Sequence, residues 1–565
     1  MPAGLLPSSL EAARAAVAGA RGIKACAIAF VSGAASILAL APFHFAPVLL
    51  VTLPVLVWLV EARAGRAGNG WRRIAWRSAA MGWWFGFGFH LLGLYWIGHA
   101  FMVQADQFAW LLPFAVTLLP AGLALFHALA AAATALVLAR LQNPSSIREQ
   151  RFRDAALPVV VLGLSLSATE FLRGTILTGF PWNVLGYALT WPLAPMQAAG
   201  VVGIYGLTLA VPIVFAWPAV ILAGGRLQGT GPSERLAVAL APPVAIVGGA
   251  FAYGLWALSG SLPANQPDIR LRLVQPSIAQ TDKWRADKQR EIFEEHLRLS
   301  ALGEDGEADS LKGITHVVWA EAAMPFMPLE TPEAIDRIGR LLPEGTRLLA
   351  GALRRDIDDG GKLQVYNSLV VFGAGGRFEG LYDKIHLVPF GEYLPFGEPL
   401  EALGLRALVG QRGGFATGPG PRPLVRPAGL LPMVVLICYE AVFPASVIQG
   451  QERPAFLLNV TNDGWFGQST GPYQHFHQSR LRAVEEGLPM IRVANNGVSG
   501  VIDGKGRIVR SLGLDEKGVI DGGLPQPSAA PPFAMLGNTI FFALWLMLAL
   551  TAFQMSRKRS VASES

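Results

Sequence analysis

Apolar positions follow two patterns along these 565 residues. In the N-terminal part and again near the C-terminus they run on for about the thickness of a bilayer core. Such stretches lie at residues 25–41, 45–60, 78–98, 108–139, 155–172, 199–224, 236–257 and 531–554. They predict eight transmembrane helices, the first two a little short for a core of roughly 30 Å. Between 268 and 522 the pattern changes to short β-type runs, at 269–275, 315–320, 347–352, 367–373, 433–438, 456–461, 490–495 and 498–503. Amphipathic helical stretches intervene at 283–300 and 470–487. Strands alternating with helices predict a single large α/β domain. The chain therefore divides into seven helices (1–257), a polar insert (258–530), and a last helix with a basic tail (531–565). Residues 390–432 are rich in Gly and Pro and lack periodicity, which predicts a lid or binding loop.

Composition agrees with a membrane protein: 52% of residues are hydrophobic and only 15% charged, with a mean hydropathy of +0.40. The net charge of +6 would suit nucleic acid, but the basic residues have a different distribution. Arg14, Arg21 and Lys24 precede the first helix, and Arg63, Arg66, Arg72, Arg73 and Arg77 lie between the second and third. Arg140, Arg148, Arg151 and Arg153 follow the fourth, Arg226 and Arg235 the sixth, and Arg557, Lys558 and Arg559 the eighth. The alternate short loops hold only Arg173. Positive charge marks cytoplasmic loops, so both termini are expected in the cytoplasm and residues 258–530 on the far side. Ala39-Leu40-Ala41 resembles a signal-peptide cleavage site, but Pro42 and the six further spans favour an uncleaved anchor. Glu170 and Arg173, one helical turn apart at the membrane edge, are expected to pair.

Two cysteines, Cys26 and Cys438, lie far apart, so neither a disulfide framework nor a zinc motif is expected. Cys438 ends the run VVLIC, where a thiol could be presented as a nucleophile at a strand terminus. A lysine cation nearby and a helix N-terminus after the strand would raise its thiolate fraction. Glu321 ends the strand of VVWAE, a position suited to a buried general base. Lys384 sits in LYDKIHLVPFGEYLPFG among aromatic, Pro and Gly residues. Singly, each has an ordinary structural explanation: a solvent-facing Glu, a surface Lys, a core Cys.

Together, strand-Glu321, Lys384 and strand-Cys438 resemble the Glu–Lys–Cys triad of the nitrilase (carbon–nitrogen hydrolase) superfamily, and NDGWFG at 462–467 resembles the segment after its nucleophile. Such a domain after seven helices and before an eighth resembles the bacterial apolipoprotein N-acyltransferase family, as do TGFPWN (178–183) and YDKIHLVPFGEYLP (382–395). Ala320 departs from the Pro common in the family before the glutamate. The resemblance implies an αββα sandwich. It also implies acyl transfer from a phospholipid, expected to be phosphatidylethanolamine, to the free α-amine of a diacylglyceryl-cysteine lipoprotein. It implies no metal or organic cofactor, and a monomer in the bacterial inner membrane with a periplasmic catalytic domain. Glu321 would be the base, Cys438 the nucleophile, and Lys384 with the backbone N–H of Tyr439 the oxyanion donors; Glu392 and Glu440 would support Lys384. Trp182, Trp284, Phe390, Phe396, Trp465 and Phe466 are expected to line the route of the acyl chains. Two rivals stand beside this reading. One is a membrane-anchored amidase using the same triad; the other is a non-catalytic scaffold or transporter, for which the spans hold few ionisable residues beyond His90 and His127.

Overall fold

The computed structural model describes residues 8–65, 70–141, 148–223, 232–304, 306, 311–358, 360–395, 397, 414–427, 429–450 and 452–557. They form two compact units, one of Met1–Tyr95, Pro113–Gly260 and Met535–Ser565, the other of Trp96–Leu112 and Ser261–Ala534.

The first unit is helical. Its long helices are Gly22–Ser36, Leu49–Ala64, Trp71–Gly93, Leu112–Leu141, Arg148–Thr175, Ala199–Phe215, Pro232–Leu258 and Thr539–Arg557. Among the described residues, six helical segments are long and apolar enough to cross a membrane: Gly22–Ala39, Ala46–Ala64, Ala105–Leu141, Asp154–Thr175, Ala199–Ile221 and Leu240–Leu258. Trp71–Gly93 is a helix whose first turns carry Arg72, Arg73 and Arg77, and Thr539–Gln554 is a shorter apolar one. Small residues let these helices close up, since a Cβ on Gly33 or Gly88 would run into the backbone carbonyls of Phe85 or Phe30. Glu170 and Arg173 do pair, both fully buried, and Arg173 also donates to the carbonyls of Phe180 and Trp182.

The second unit is a two-sheet sandwich. Its strands are β1 (Asn265–Gln275), β2 (His316–Trp319), β3 (Arg347–Ile357), β4 (Leu363–Phe372), β5 (Phe378–Asp383), β6 (Met433–Ile437), β7 (Phe456–Thr461), β8 (Met490–Ala494), β9 (Ser499–Ile502), β10 (Ile508–Leu512) and β11 (Gly518–Pro525). One sheet runs β11-β1-β2-β3-β4-β5 and the other β10-β9-β8-β7-β6. Side chains alternate across each strand, so each sheet has an inner and an outer apolar face. Val318 and Ala320, Leu349, Val435 and Ile437, and Leu458 and Val460 share the inner core. Val317 and Trp319 face outward with Phe293 and Ile338, from the helices Gln289–Ala301 and Pro332–Leu341. Val434 and Leu436 face outward with Ala483 of the helix Gly471–Glu486. Helix, sheet, sheet, helix is the layering that the resemblance implies. Trp96–Leu112 joins this unit through Trp96, whose indole N–H donates to Gln474 at 3.1 Å and whose ring meets Phe466 at 4.4 Å.

Candidate active site

Four strand ends of the sandwich unit meet at one place. After β2 the chain enters Glu321, after β5 Lys384, after β6 Cys438 and after β7 Asn462. All four residues are buried. Glu321 accepts from Lys384 Nζ (3.4 Å) and Asn367 Nδ2 (2.8 Å) on one oxygen and from the Asn462 N–H (2.8 Å) on the other. Lys384 Nζ also donates to Glu392 at 2.9 Å, and the Asn367 amide bridges the two carboxylates. A Cβ on Gly351 of β3 would fall 2.3 Å from the Ala320 carbonyl and 2.6 Å from Glu321 Cα, so a glycine is needed for β3 to pass Glu321.

Cys438 has φ +50, a left-handed backbone that costs an L-residue roughly 1–2 kcal/mol. The strand turns there directly into the short helix Cys438–Val442, which begins with the thiol and then Tyr439. The sequence suggested that a lysine and a helix start would favour the thiolate. The structure reverses this: burial, then the Glu321 charge, push the thiol well above its ordinary range, outweighing Lys384. The helix is also a single short 3-10 turn, with little dipole to offer. Burial opposes the Lys384 charge, but Glu392 and Glu321 prevail and hold it above the usual lysine value. The resting site therefore pairs a thiol with an ammonium.

Glu392 and Glu440 support the site in different ways. Glu392 touches Lys384 directly and takes the Val388 N–H at 2.8 Å, closing a tight turn. Glu440 braces the chain around Lys384. Its carboxylate accepts from the N–H groups of Ile385 and His386 (both 3.1 Å), just after the lysine, and from that of Ile437, just before the cysteine. Arg422 (3.0 Å) and the Tyr382 hydroxyl (2.8 Å) complete its shell. Burial opposes the charge of Glu440, yet Arg422 and these donors keep its pKa below the usual carboxylate value.

Sequence reasoning missed Asn367, Tyr382, Arg422 and Lys283. Lys283 is buried, donates to the Glu321 carbonyl at 3.0 Å, and is lowered by burial to about 8. Its neighbour Trp284 drew attention as an aromatic, but a lone lysine leaves no pattern. Arg422 falls in the stretch expected to be a lid. There, residues 414–427 are tied to the site: Phe415 and Gly418 donate to the carbonyls of Glu392 and Lys384. Phe396 and residues 398–413 lie outside the described residues.

The remaining aromatics are dispersed. Trp284 is half-buried with Tyr393 against Leu353, Leu387 and Phe415. Phe390 tips the 388–393 turn with φ +62 and is 55% exposed. Trp465 and Phe466 are half-buried in the turn after β7. Trp182 belongs to the helical unit, where it is buried and stacked on Phe180.

Comparison with known proteins places this geometry. The family model described as carbon-nitrogen hydrolase matches residues 271–531, and the apolipoprotein N-acyltransferase N-terminal domain matches residues 32–217. An apolipoprotein N-acyltransferase of Rhodopseudomonas palustris is 42% identical over 537 residues, covering 94% of this chain and 95% of the relative. That of Brucella melitensis is 43% identical over 505 residues, covering 88% and 89%. A solved carbon-nitrogen hydrolase from Helicobacter pylori covers 45% of this chain and 89% of its own, at 16% identity and a TM-score of 0.34. The two sequence relatives span nearly the whole chain, and on them the assignment rests. The chain belongs to the apolipoprotein N-acyltransferase family.

Proposed function

We propose that this enzyme moves an acyl chain from the sn-1 position of a membrane phospholipid to the α-amine of a diacylglyceryl-cysteine lipoprotein, through a thioester on Cys438. The observation that carries the proposal is the meeting of Glu321, Lys384 and Cys438 at converging strand ends in a chain of this family. Glu321 takes the thiol proton as Sγ attacks the ester carbonyl. Lys384 Nζ and the Tyr439 backbone N–H donate to the resulting oxyanion, each such donor typically contributing about 3 kcal/mol. The C–O bond breaks, the lysophospholipid alkoxide takes the proton back from Glu321, and the acyl chain stays on sulfur. Glu321 then deprotonates the incoming amine, which attacks the thioester; an amide forms and Cys438 regains its proton.

Phosphatidylethanolamine is the proposed donor and the enzyme is proposed to act as a monomer. The eight apolar segments and the basic residues on alternate loops favour eight crossings of the inner membrane, cytoplasmic termini and a periplasmic catalytic unit. Exposed Phe390 on its turn favours this edge for acyl-chain contact.

The test is incubation of the purified chain with phospholipid and a diacylated lipopeptide. Mass spectrometry is expected to show N-acylated peptide, and an acyl adduct on Cys438 when the acceptor is withheld. Cys438→Ala is expected to give neither. Hydrolysis of a simple amide substrate, with no N-acylated peptide formed, would favour the amidase reading, and full activity of Cys438→Ala would remove the mechanism.

A further inference from the structure

Behind the nucleophile lies a buried polar cluster that the mechanism above does not use. His475, on the helix Gly471–Glu486, directs Nε2 at the Cys438 carbonyl (3.1 Å) and Nδ1 at Asp463 Oδ1 (2.8 Å). Arg492 of β8 donates to Asp463 Oδ2 (2.7 Å) and reaches His475 Nδ1 at 3.1 Å. Its other bonds go to Ser479 Oγ (2.9 Å), the Val498 carbonyl (3.2 Å) and Asn459 Oδ1. Asn459 in turn donates to the Leu436 carbonyl, inside the strand that ends in Cys438. His475, Asp463 and Arg492 are essentially inaccessible to solvent, and Gly497 leaves the room that Asp463 occupies.

We infer that His475 is a positioning residue for acyl transfer: by donating to the Cys438 carbonyl it fixes the 438–439 peptide plane and with it the direction of the Tyr439 N–H. The peptide is planar, and it is not among the cis bonds of the chain, so its C=O and N–H point opposite ways. Gripping the oxygen from one side therefore aims the nitrogen's proton to the other. The grip is needed here because Cys438 is left-handed, a conformation that L-residues hold only when their surroundings impose it. A carbonyl only accepts, so this contact requires a proton on Nε2. Burial, then the Arg492 charge, lowers the pKa of His475 and keeps the ring neutral, so with the proton on Nε2 the Nδ1 lone pair takes the Arg492 N–H at 3.1 Å, and Arg492, which also donates to Asp463, fixes the ring in place.

A donor that matters for the oxyanion acts on the transition state and leaves ground-state binding of phospholipid alone. The inference rests on Cys438 as the acylated nucleophile, so the experiment reads that first. The full chain in detergent is mixed with 1-palmitoyl-2-oleoyl-phosphatidylethanolamine, and acylation of Cys438 is followed by intact mass over a range of lipid concentrations. Wild type is expected to acylate. His475→Leu, which fills the space without donating, is expected to lose about 10²-fold in the acylation rate at saturating lipid, with half-saturation changed less than twofold. His475→Gln, whose amide can donate to the same carbonyl, is expected to recover about tenfold over leucine. Should the leucine variant not fold, Asn against Gln makes the comparison, since both are amides and only Gln is long enough to reach. Equal rates within either pair, or a loss confined to half-saturation, would overturn the positioning role alone. No Cys438 adduct in wild type would overturn the nucleophile assignment, and this inference with it.

Discussion

Cys438 keeps its proton because a buried thiolate beside Glu321 is costlier than Lys384 can offset. Under the proposed mechanism the thiolate therefore forms during attack rather than being stored, and this has a measurable sign. A raised acid pKa leaves the thiol protonated through neutral pH, so alkylation of Cys438 by iodoacetamide should still be climbing at pH 9. A free thiol, titrating near 8.5, would by then be levelling off. A plateau by pH 8 contradicts the argument. Glu440 has the opposite sign, its pKa held low mainly by Arg422 against the cost of burial. Its stabilisation is thus present above the ordinary glutamate value of about 4.3 and is lost as pH falls through its lower folded value. Glu440→Gln leaves Arg422 buried without its carboxylate, so denaturant unfolding should show a loss of about 3–5 kcal/mol and a weaker acid dependence; unchanged stability refutes this. Glu321 and Cys438 stood out in the sequence because each follows an apolar run, and Lys384 because of its aromatic, Pro and Gly surroundings and the motif they resemble. Asn367, Lys283 and Arg422 did not, since what distinguishes them is the partner they meet across the fold. Nor could linear sequence reveal that burial would outweigh a neighbouring lysine at the thiol.

Two of the three strands that carry the triad, β2 and β6, were readable for the same reason. β1 to β4 and β6 to β9 are short apolar runs, and each appears within a few residues of its predicted bounds. β5, β10 and β11 were missed. FEGLYD and GVIDGGLP interrupt their apolar residues with Gly and acids, and Ile508–Leu512 is largely exposed at a sheet edge, where no core enforces alternation. Missing β5 mattered, because it is the strand that delivers Lys384. Close passage of elements is equally hidden: nothing around Gly351 in sequence announces that β3 runs against the end of β2. A methyl group there must push Glu321 away, so Gly351→Ala is expected to destabilise by about 1–3 kcal/mol. Misplacing the base by even 1 Å should also slow Cys438 acylation by about 10²-fold. Thermal melting with the acylation assay checks both, and wild-type acylation would show that the base does not depend on this passage.

For the whole molecule, the number of crossings decides which side of the membrane holds the chemistry. Only six segments among the described residues are long and apolar enough to cross, and all six precede residue 261. Six crossings would return residues 258–530 to the side of the N-terminus; a seventh puts them opposite. The seventh proposed crossing is Trp71–Gly93, whose arginines are confined to its first turns while its later turns carry Trp83, Trp84, Phe85, Phe87 and Phe89. Those arginines fit a helix entering from the cytoplasmic face, with the aromatic-rich remainder in lipid. The last helix, with its apolar stretch Thr539–Gln554, would then bring the C-terminus back to the cytoplasm. Labelling settles the parity. In a background with Cys26 and Cys438 both replaced by serine, Glu344→Cys, at an exposed position of the sandwich unit, should react with a membrane-impermeant maleimide in intact spheroplasts. Ser9→Cys, exposed near the N-terminus, should react only after lysis. Reaction of both or neither before lysis would mean that Trp71–Gly93 does not cross. The catalytic strand ends would then share a compartment with the N-terminus, and lipoproteins waiting at the outer face could not reach them.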